Sequence, residues 1–190
     1  LDRTASPMGG RLLRWWLQGP LVDLERIRER HAIVKAFLDD TSSLASLREH
    51  LARVGDLERL VTKVTTDRAT SRDLSAMRSG LAVLEHIKEV LQASPLPILK
   101  DMGQHLDTHG DVVALLITAL SDDPPIQVGT GKMFRAGYNA ELDTVRRALL
   151  EGKDWISQYQ DEARRISGVQ QLKVGFNNVF GYYLEVSKTH

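Results

Sequence analysis

One stretch of this sequence has the composition of a phosphate-binding loop. Gly129-Thr130-Gly131-Lys132 brings two glycines and a lysine together, and such loops cradle nucleotide phosphates with backbone N–H groups. A phosphate loop also needs an earlier glycine, where this chain has Ile126, and a Ser or Thr hydroxyl for magnesium, where it has Met133. The pattern therefore does not predict a nucleotide site, and a turn is the simpler interpretation.

The histidines offer a second possible chemistry, metal binding. His105 and His109 are four residues apart, as two metal ligands on one face of a helix would be. The glutamate of the catalytic H-E-x-x-H motif is missing, because Leu106 stands in its place, and Gly110 is expected to end the helix. We expect neither a metal site nor a catalytic residue in this chain.

Composition bounds the remaining possibilities. A chain of 190 residues with 42% hydrophobic residues can bury a sizeable core. The chain has 25 basic residues (Lys and Arg) and 25 acidic residues (Asp and Glu), so its net charge is zero. This balance argues against a strongly basic nucleic-acid module. The absence of cysteine excludes disulfides and Cys-ligated zinc. No apolar run approaches the roughly 18 residues that span a bilayer. Since the chain begins with Leu1 and has no signal-peptide pattern, we expect a piece of a longer cytoplasmic protein.

Proline, glycine and N-cap signals divide the first 137 residues into amphipathic helices with short connections. The longest of them is expected from about 71 to 91, with Leu74, Met77, Leu81, Leu84, Ile87 and Leu91 at helical spacing. Two shorter helices are expected at 98–106 and 112–120. The predicted breaks lie at Gly19-Pro20, 39–43, Gly55-Asp56, 94–97 and 121–125. The sequence thus predicts a multi-helical core over residues 1–137.

A long helix is predicted over residues 138–168, with Asn139 as its N-cap. Its apolar positions alternate in steps of three and four residues, which is the spacing of a coiled-coil seam. That seam consists of Leu142, Val145, Leu149, Gly152, Ile156, Tyr159, Ala163 and Ile166. No other segment of the chain has a matching length. We therefore predict that the seam is partly exposed, or covered by something other than its natural partner helix.

Immediately after this helix the apolar period changes to two, which predicts β-strands. Leu172, Val174 and Phe176 alternate with polar or small residues, and a second alternating run begins at Phe180. Asn177-Asn178 is predicted as a two-residue turn, since asparagine tolerates positive φ. A lone hairpin is marginally stable in water, so further strands are expected after it. The fold class is therefore mainly α: a helical core and a long heptad-bearing helix that leads into a short β-hairpin at 169–190.

Several motifs in this chain resemble the MutS family of DNA mismatch-repair proteins. The resemblance covers nearly the whole chain, and the motifs occur in the family's order. They are Leu1-Asp2-Arg3-Thr4, Met8-Gly9 with Leu12-Leu13-Arg14, Pro20-Leu21, Asp56-Leu57-Glu58-Arg59-Leu60, Arg72-Asp73-Leu74, Gly137-Tyr138-Asn139 with Glu141-Leu142-Asp143, the run 172–177 and the run 180–186.

The resemblance implies that this chain is the core and lever region of such a protein with the first strands of its clamp. In the family, the clamp grips the DNA backbone without reading sequence, and lever helices couple it to a distant ATPase domain. The resemblance also implies ATP and magnesium as cofactors of the full-length protein, mismatched double-stranded DNA as its ligand, and a location in the cytoplasm at the nucleoid. A homodimer or a MutS-type partner, and a MutL-type protein, are the implied partners.

Residue types near the hairpin add three candidate DNA contacts, Lys173, Asn177 and Lys188, whose side chains can donate hydrogen bonds to phosphates. The seam supports an alternative of another class, in which the chain is a helical oligomerisation or scaffold module without a DNA role.

Overall fold

In the computed structural model, which describes residues 2–126 and 132–186, the chain divides into two compact units, Leu1–Arg135 and Ala136–His190. The described residues form eight helices and one hairpin, so the predicted mainly α fold class is confirmed. The elements are α1 Pro7–Gln18, α2 Leu24–Asp39, α3 Thr41–Val54, α4 Leu57–Thr65, α5 Ser71–Ala93, α6 Pro97–His105, α7 Gly110–Ala119, α8 Ala140–Ser167, β1 Lys173–Asn177 and β2 Gly181–Glu185.

The polar break predicted at 39–43 is much shorter in the structure. Only Asp40 separates α2 from α3, because this one residue satisfies both helix ends. Its backbone N–H donates to Ala36 O at the end of α2, while its carboxylate accepts from the N–H of Ser43 at the start of α3. The same carboxylate accepts a hydrogen bond from the Ser94 hydroxyl at 2.8 Å, which fixes the end of α5 to this junction.

Helix α5 is the centre of the first unit, since α3, α4, α6 and α7 all pack against it. Met77, Leu81, Ile87 and Leu91 are buried along α5, as the helical spacing predicted. Two groups of buried side chains surround this helix. One consists of Ala36, Leu47, Val54, Val83, Ile87, Leu91 and Leu99, and the other of Met77, Leu81, Leu116 and Leu120.

The segment after α7 folds back on that helix. Leu120 and Phe134 form an isolated antiparallel bridge, and the N–H of Arg135 donates to Ala119 O at 2.9 Å. Gly129, Thr130 and Gly131, which suggested a phosphate loop, lie outside the described residues.

An ion-pair group attaches α1 to the start of α4. The Arg11 guanidinium donates to both carboxylate oxygens of Asp56 at 2.6 and 2.9 Å, and to Glu58 at 2.5 Å. These hydrogen bonds lower the pKa of Asp56, whose carboxylate also caps α4 through the N–H of Arg59. The sequence predicted a break at Gly55-Asp56, but nothing in it indicated Arg11 as the partner of Asp56 across 45 residues.

Gly80 allows the closest backbone approach in the first unit. A Cβ at this position of α5 would lie 2.3 Å from Val54 O and 2.9 Å from Leu57 Cδ2. We expect Gly80→Ala to lower the free energy of unfolding by about 1–3 kcal/mol, because the backbone of Val54 must move. Urea unfolding followed by circular dichroism measures the loss. Gly110→Ala is the matched control, since a Cβ at Gly110 meets nothing within 4 Å. Equal stabilities of the two variants would contradict this packing.

Asp73 gives the first unit an acid-sensitive helix start. A hydrogen bond from Lys63 and others from Thr70, with which it forms a capping box, lower its pKa to about 2. A carboxylate with a lowered pKa stabilises the fold above the unfolded value near 4 and loses that contribution as pH falls towards 2. We expect Asp73→Asn to be less stable than the natural chain at pH 6, with the difference vanishing between pH 4 and 2. Asp101→Asn, at an exposed site, is the control. A difference that persists at pH 2 would contradict the assignment.

Candidate nucleic-acid interface

Helix α8 begins and ends at well-defined caps. Asn139 Oδ1 accepts from the N–H of Leu142 at 2.9 Å, which confirms the predicted N-cap. At the other end Gly168 adopts φ 72°, a conformation that favours glycine, and its N–H donates to Arg164 O at 2.9 Å. The 28 residues between these caps form one continuous helix of about 42 Å.

The charged side chains of α8 pair at three-residue spacing. In the structure Asp161 contacts Arg164 at 3.4 Å, and Arg165 contacts Glu162 at 3.3 Å. The last turn is therefore supported by two local ion pairs, and Arg164 keeps its Nε–H for another contact.

The seam of α8 is largely exposed, as the sequence predicted. No residue of α8 is buried. Leu142 and Ile156 are half-buried, while Leu149 is 63% and Ile166 is 77% exposed. Val145 and Tyr159 are exposed as well. An isolated helix is only marginally stable in water, and most of its stability in a protein comes from packing of its apolar face. The continuous apolar stripe of α8 is therefore suited to packing against another element.

The hairpin pairs its two strands in an antiparallel register, and its turn differs from the predicted one. Val174 lies opposite Leu184 and Phe176 opposite Tyr182, so one face of the hairpin is apolar. The predicted two-residue turn at Asn177-Asn178 is wrong. Asn177 pairs with Gly181, and residues 178–180 connect the strands. The reason is local: Asn177 Oδ1 accepts from the N–H groups of residues 179 and 180, and Gly181 supplies the positive φ of 73°.

Two polar side chains of α8 hold the first strand against the helix. Gln160 Oε1 accepts from the N–H of Val174 at 2.9 Å, and Arg164 Nε donates to Leu172 O at 2.8 Å. Leu172 is buried at 5% exposure. Helix and hairpin enclose a groove of about 320 Å³ with an aromatic lining, formed by Trp155, Ile156, Tyr159, Val174, Tyr182, Tyr183 and Leu184.

Two of the three predicted DNA-contact residues, Lys173 and Asn177, fall on one strand. Lys173 is exposed at the start of β1, opposite Glu185, and Asn177 lies on the same face at the end of β1. Tyr183 lies between them, because its ring covers Gly175, where a Cβ would be 2.6 Å from Tyr183 Cζ. Lys188 lies outside the described residues. On this face the Lys173 ammonium can donate to a phosphate. The side-chain oxygen of Asn177 already accepts hydrogen bonds in the turn, so only the Asn177 amide N–H₂ group can donate to a phosphate.

Sequence reasoning missed the residues that position this strand. Gln160 and Arg164 are four residues apart and border the seam, which is the spacing of two side chains on one helix face. That spacing was a usable signal, but the sequence does not show which backbone groups need a partner. Tyr183 was missed because the alternation placed it on the polar face.

The metal and nucleotide interpretations gain no support from the described residues. His105 is the last residue of α6 and His109 precedes α7, so the two do not lie on one helix as the spacing suggested. Within residues 2–126 and 132–186, no group of three or more His, Cys, Asp or Glu side chains is arranged to hold a metal ion. In the same ranges no helix is both long and apolar enough to cross a membrane.

Comparison with known proteins identifies the family. The family model described as MutS domain III matches residues 1–172. A protein from Brevibacillus brevis, named DNA mismatch repair protein MutS, is 42% identical over all 190 residues, which are 22% of its length. Proteins of the same name from Salinibacter ruber and Bacillus subtilis are 43% and 39% identical, again over the whole chain, which covers 21% and 22% of their lengths.

The chain spans about a fifth of the length of these relatives. The family match covers all eight helices, and the described hairpin starts directly after it. The chain belongs to the MutS domain III family.

Proposed function

We propose that this chain is an internal structural segment of a DNA mismatch-repair protein. In this proposal α8 is a lever that links a DNA-gripping clamp, begun by the hairpin, to an ATPase domain elsewhere in the polypeptide. The proposed process, DNA mismatch repair, is taken from the names of the relatives. The proposed linking role is inferred from the order of the elements, in which a long helix connects the helical core to the hairpin. The segment itself performs no catalysis.

The observation that carries this proposal is the continuity of α8 into the hairpin. The helix runs 28 residues between its caps, and its last turns hold β1 through Gln160 and Arg164. A movement of the helix end must therefore carry the strand with it, since two hydrogen bonds and the buried Leu172 would otherwise be lost. A continuous helix of this length can transmit a displacement of one end to the other end, about 42 Å away, as a rigid rod.

The proposal assigns the remaining functions to the whole protein. Mismatched double-stranded DNA, a second MutS-type subunit and a MutL-type protein are its proposed partners, and ATP with magnesium its proposed cofactors. The residues of this segment do not fit a nucleotide, because Ile126 and Met133 replace the glycine and hydroxyl residues that a phosphate loop needs. No step of ATP hydrolysis is therefore assigned to them.

The 190-residue chain should bind DNA weakly and hydrolyse no ATP. Its proposed contacts, Lys173, Asn177 and Lys188, address phosphates, which are the same in matched and mismatched duplexes. We expect similar, salt-sensitive dissociation constants for both duplexes by fluorescence anisotropy, and weaker binding by Lys173→Ala. Lys153→Ala, on α8, is the control for a general loss of charge. Tight binding that selects the mismatched duplex would contradict the proposal.

A break in the middle of α8 should prevent the helix from transmitting movement, while the two helix ends keep their structure. Leu150 is 61% exposed and lies beside the seam. Leu150→Pro removes a helical hydrogen bond and costs the helix about 3 kcal/mol, whereas Leu150→Ala keeps the helix. The variants are placed in a chimera whose residues 1–190 replace the matching segment of the Bacillus subtilis relative. The readout is the mutation frequency in cells that lack their own copy.

We expect the unmodified chimera and Leu150→Ala to restore a low mutation frequency, and Leu150→Pro to leave it high at an unchanged protein level. Normal repair with Leu150→Pro would contradict a lever that needs a continuous helix. Equal failure of both variants would contradict it as well, because the Leu150 side chain rather than helix continuity would then be required.

The exposed seam also favours a second candidate function, self-association. If α8 of one copy covers α8 of another, the 190-residue chain should sediment as a dimer, and Leu149→Lys with Ile156→Lys should return it to a monomer. Leu150→Lys is the matched control, because Leu149 and Leu150 are 63% and 61% exposed and only Leu149 belongs to the seam. A monomer mass before and after substitution would exclude this candidate.

A further inference from the structure

The C-terminal end of α7 is capped by a residue that is distant from it in the sequence. The last carbonyl groups of a helix have no partner within the helix, and a positive charge near them is favourable. Helix α7 has no basic residue in its own last turn. Arg135 takes this place, since its N–H donates to Ala119 O at 2.9 Å and its Nε–H donates to Ile117 O at 2.8 Å. One residue therefore satisfies two carbonyl groups, through its backbone and through its side chain.

Further contacts fix the segment that carries Arg135, residues 132–135. The N–H of Ser121 donates to Met133 O at 3.0 Å, and the Ser121 hydroxyl donates to Lys132 O at 2.6 Å. The Met133 side chain packs against the second group of buried side chains around α5. The Arg135 guanidinium also pairs with Asp122 at 2.5 Å, but the Asp122 side chain is 85% exposed, so this ion pair adds little.

Arg78 connects the same region to α5. Its guanidinium donates to Ser121 O and Asp122 O at the long distances of 3.4 and 3.5 Å. Because α5 is the centre of the first unit, the segment 132–135 is held to the helical core in two ways. Helix α7 holds it through Arg135, and α5 holds it through Arg78 and the backbone of residues 121–122.

The connection from Arg135 to α8 is short and is itself fixed. Only residues 136–139 lie between Arg135 and the first residue of α8. Gly137 adopts φ 85°, a conformation that favours glycine, and its N–H donates to Asp143 Oδ2 in the first turn of α8 at 2.6 Å. Ala136 is therefore the one residue between a residue that is held on α7 and a residue that is held on α8.

We propose that Arg135 is the positioning residue that couples the helical core to α8. By capping α7 it gives the long helix a fixed starting point, so that a displacement of the helix is passed to the core and is not taken up by a mobile connection. The inference rests on the proposed lever function and adds to it the residue through which the core is moved. Arg135 touches neither DNA nor nucleotide in this proposal and acts only by fixing residues 132–135.

Amide hydrogen exchange in the 190-residue chain, measured by NMR, tests the capping. Arg135→Ala keeps the backbone N–H and removes the guanidinium, so the amides of Ser121 and of position 135 should exchange about fivefold faster or more. Arg53→Ala is the matched control, because Arg53 is exposed and also lies in the last turn of a helix, α3. It should leave both amides unchanged. Unchanged exchange in Arg135→Ala would overturn the cap.

The coupling is measured in the chimera with the Bacillus subtilis relative. Fluorescence anisotropy gives the dissociation constant for a mismatched duplex with and without a non-hydrolysable ATP analogue, and the ratio of the two measures the coupling between the sites. Arg135→Ala should move this ratio towards one by about threefold or more. Arg135→Lys keeps the charge but lacks the planar fork that binds Ile117 O and Asp122 together, so its ratio should lie between. A merely structural role would lower the fraction of active protein and leave the ratio unchanged.

Two further variants decide what each outcome means. If Leu150→Pro moves the ratio towards one while Arg135→Ala and Arg135→Lys leave it unchanged, the assignment of Arg135 is overturned and the lever stands. An equal shift in Arg53→Ala would overturn the assignment as well, because the loss of any exposed arginine would then have the same effect. If Leu150→Pro also leaves the ratio unchanged, the lever itself is contradicted, and the inference that rests on it falls with it.

Discussion

The second unit depends on two hydrogen bonds between side chains of α8 and the backbone of the first strand. Gln160 and Arg164 satisfy an N–H and a C=O that a third strand would otherwise need, and they do so at the end of the longest helix. Buried or half-buried backbone groups are costly without partners. The position of the strand is therefore set by the helix, and the buried Leu172 strengthens this connection.

The first unit obeys a different constraint, the close packing of helices around α5. Gly80 and Gly103 let neighbouring backbones and side chains approach to distances that a Cβ would obstruct. Polar side chains connect the outer helices to one another. Asp40 caps α3 and accepts a hydrogen bond from Ser94, and Arg11 joins α1 to the start of α4. A core fixed in this way gives a stable body, while α8, with no buried residue, keeps its apolar stripe for another element.

Local signals explain why so much of this architecture could be predicted from the sequence. The Asn139 cap and the alternation at Val174 and Phe176 each depend on a few neighbouring residues, and both agree with the structure. The turn was wrong because Asn177 uses its side chain to shape a longer loop that ends at Gly181. Partners distant in sequence, such as Arg11 with Asp56, could not be predicted, because periodicity carries no information on which polar groups meet.

The central claim is that α8 acts as one rigid element between the hairpin and the rest of a longer protein. These 190 residues contain no cysteine, so, once any cysteines in the relative's part of the chimera are replaced, paired spin labels can be placed at the exposed positions Thr144 and Gln158, on either side of Gly152. At 1.5 Å per residue these positions are about 21 Å apart along a continuous helix. In the chimera, electron-electron double resonance should give one narrow distance distribution at that separation, unchanged by mismatched DNA and ATP. A broad distribution, or one that shifts when these ligands bind, would contradict a rigid lever.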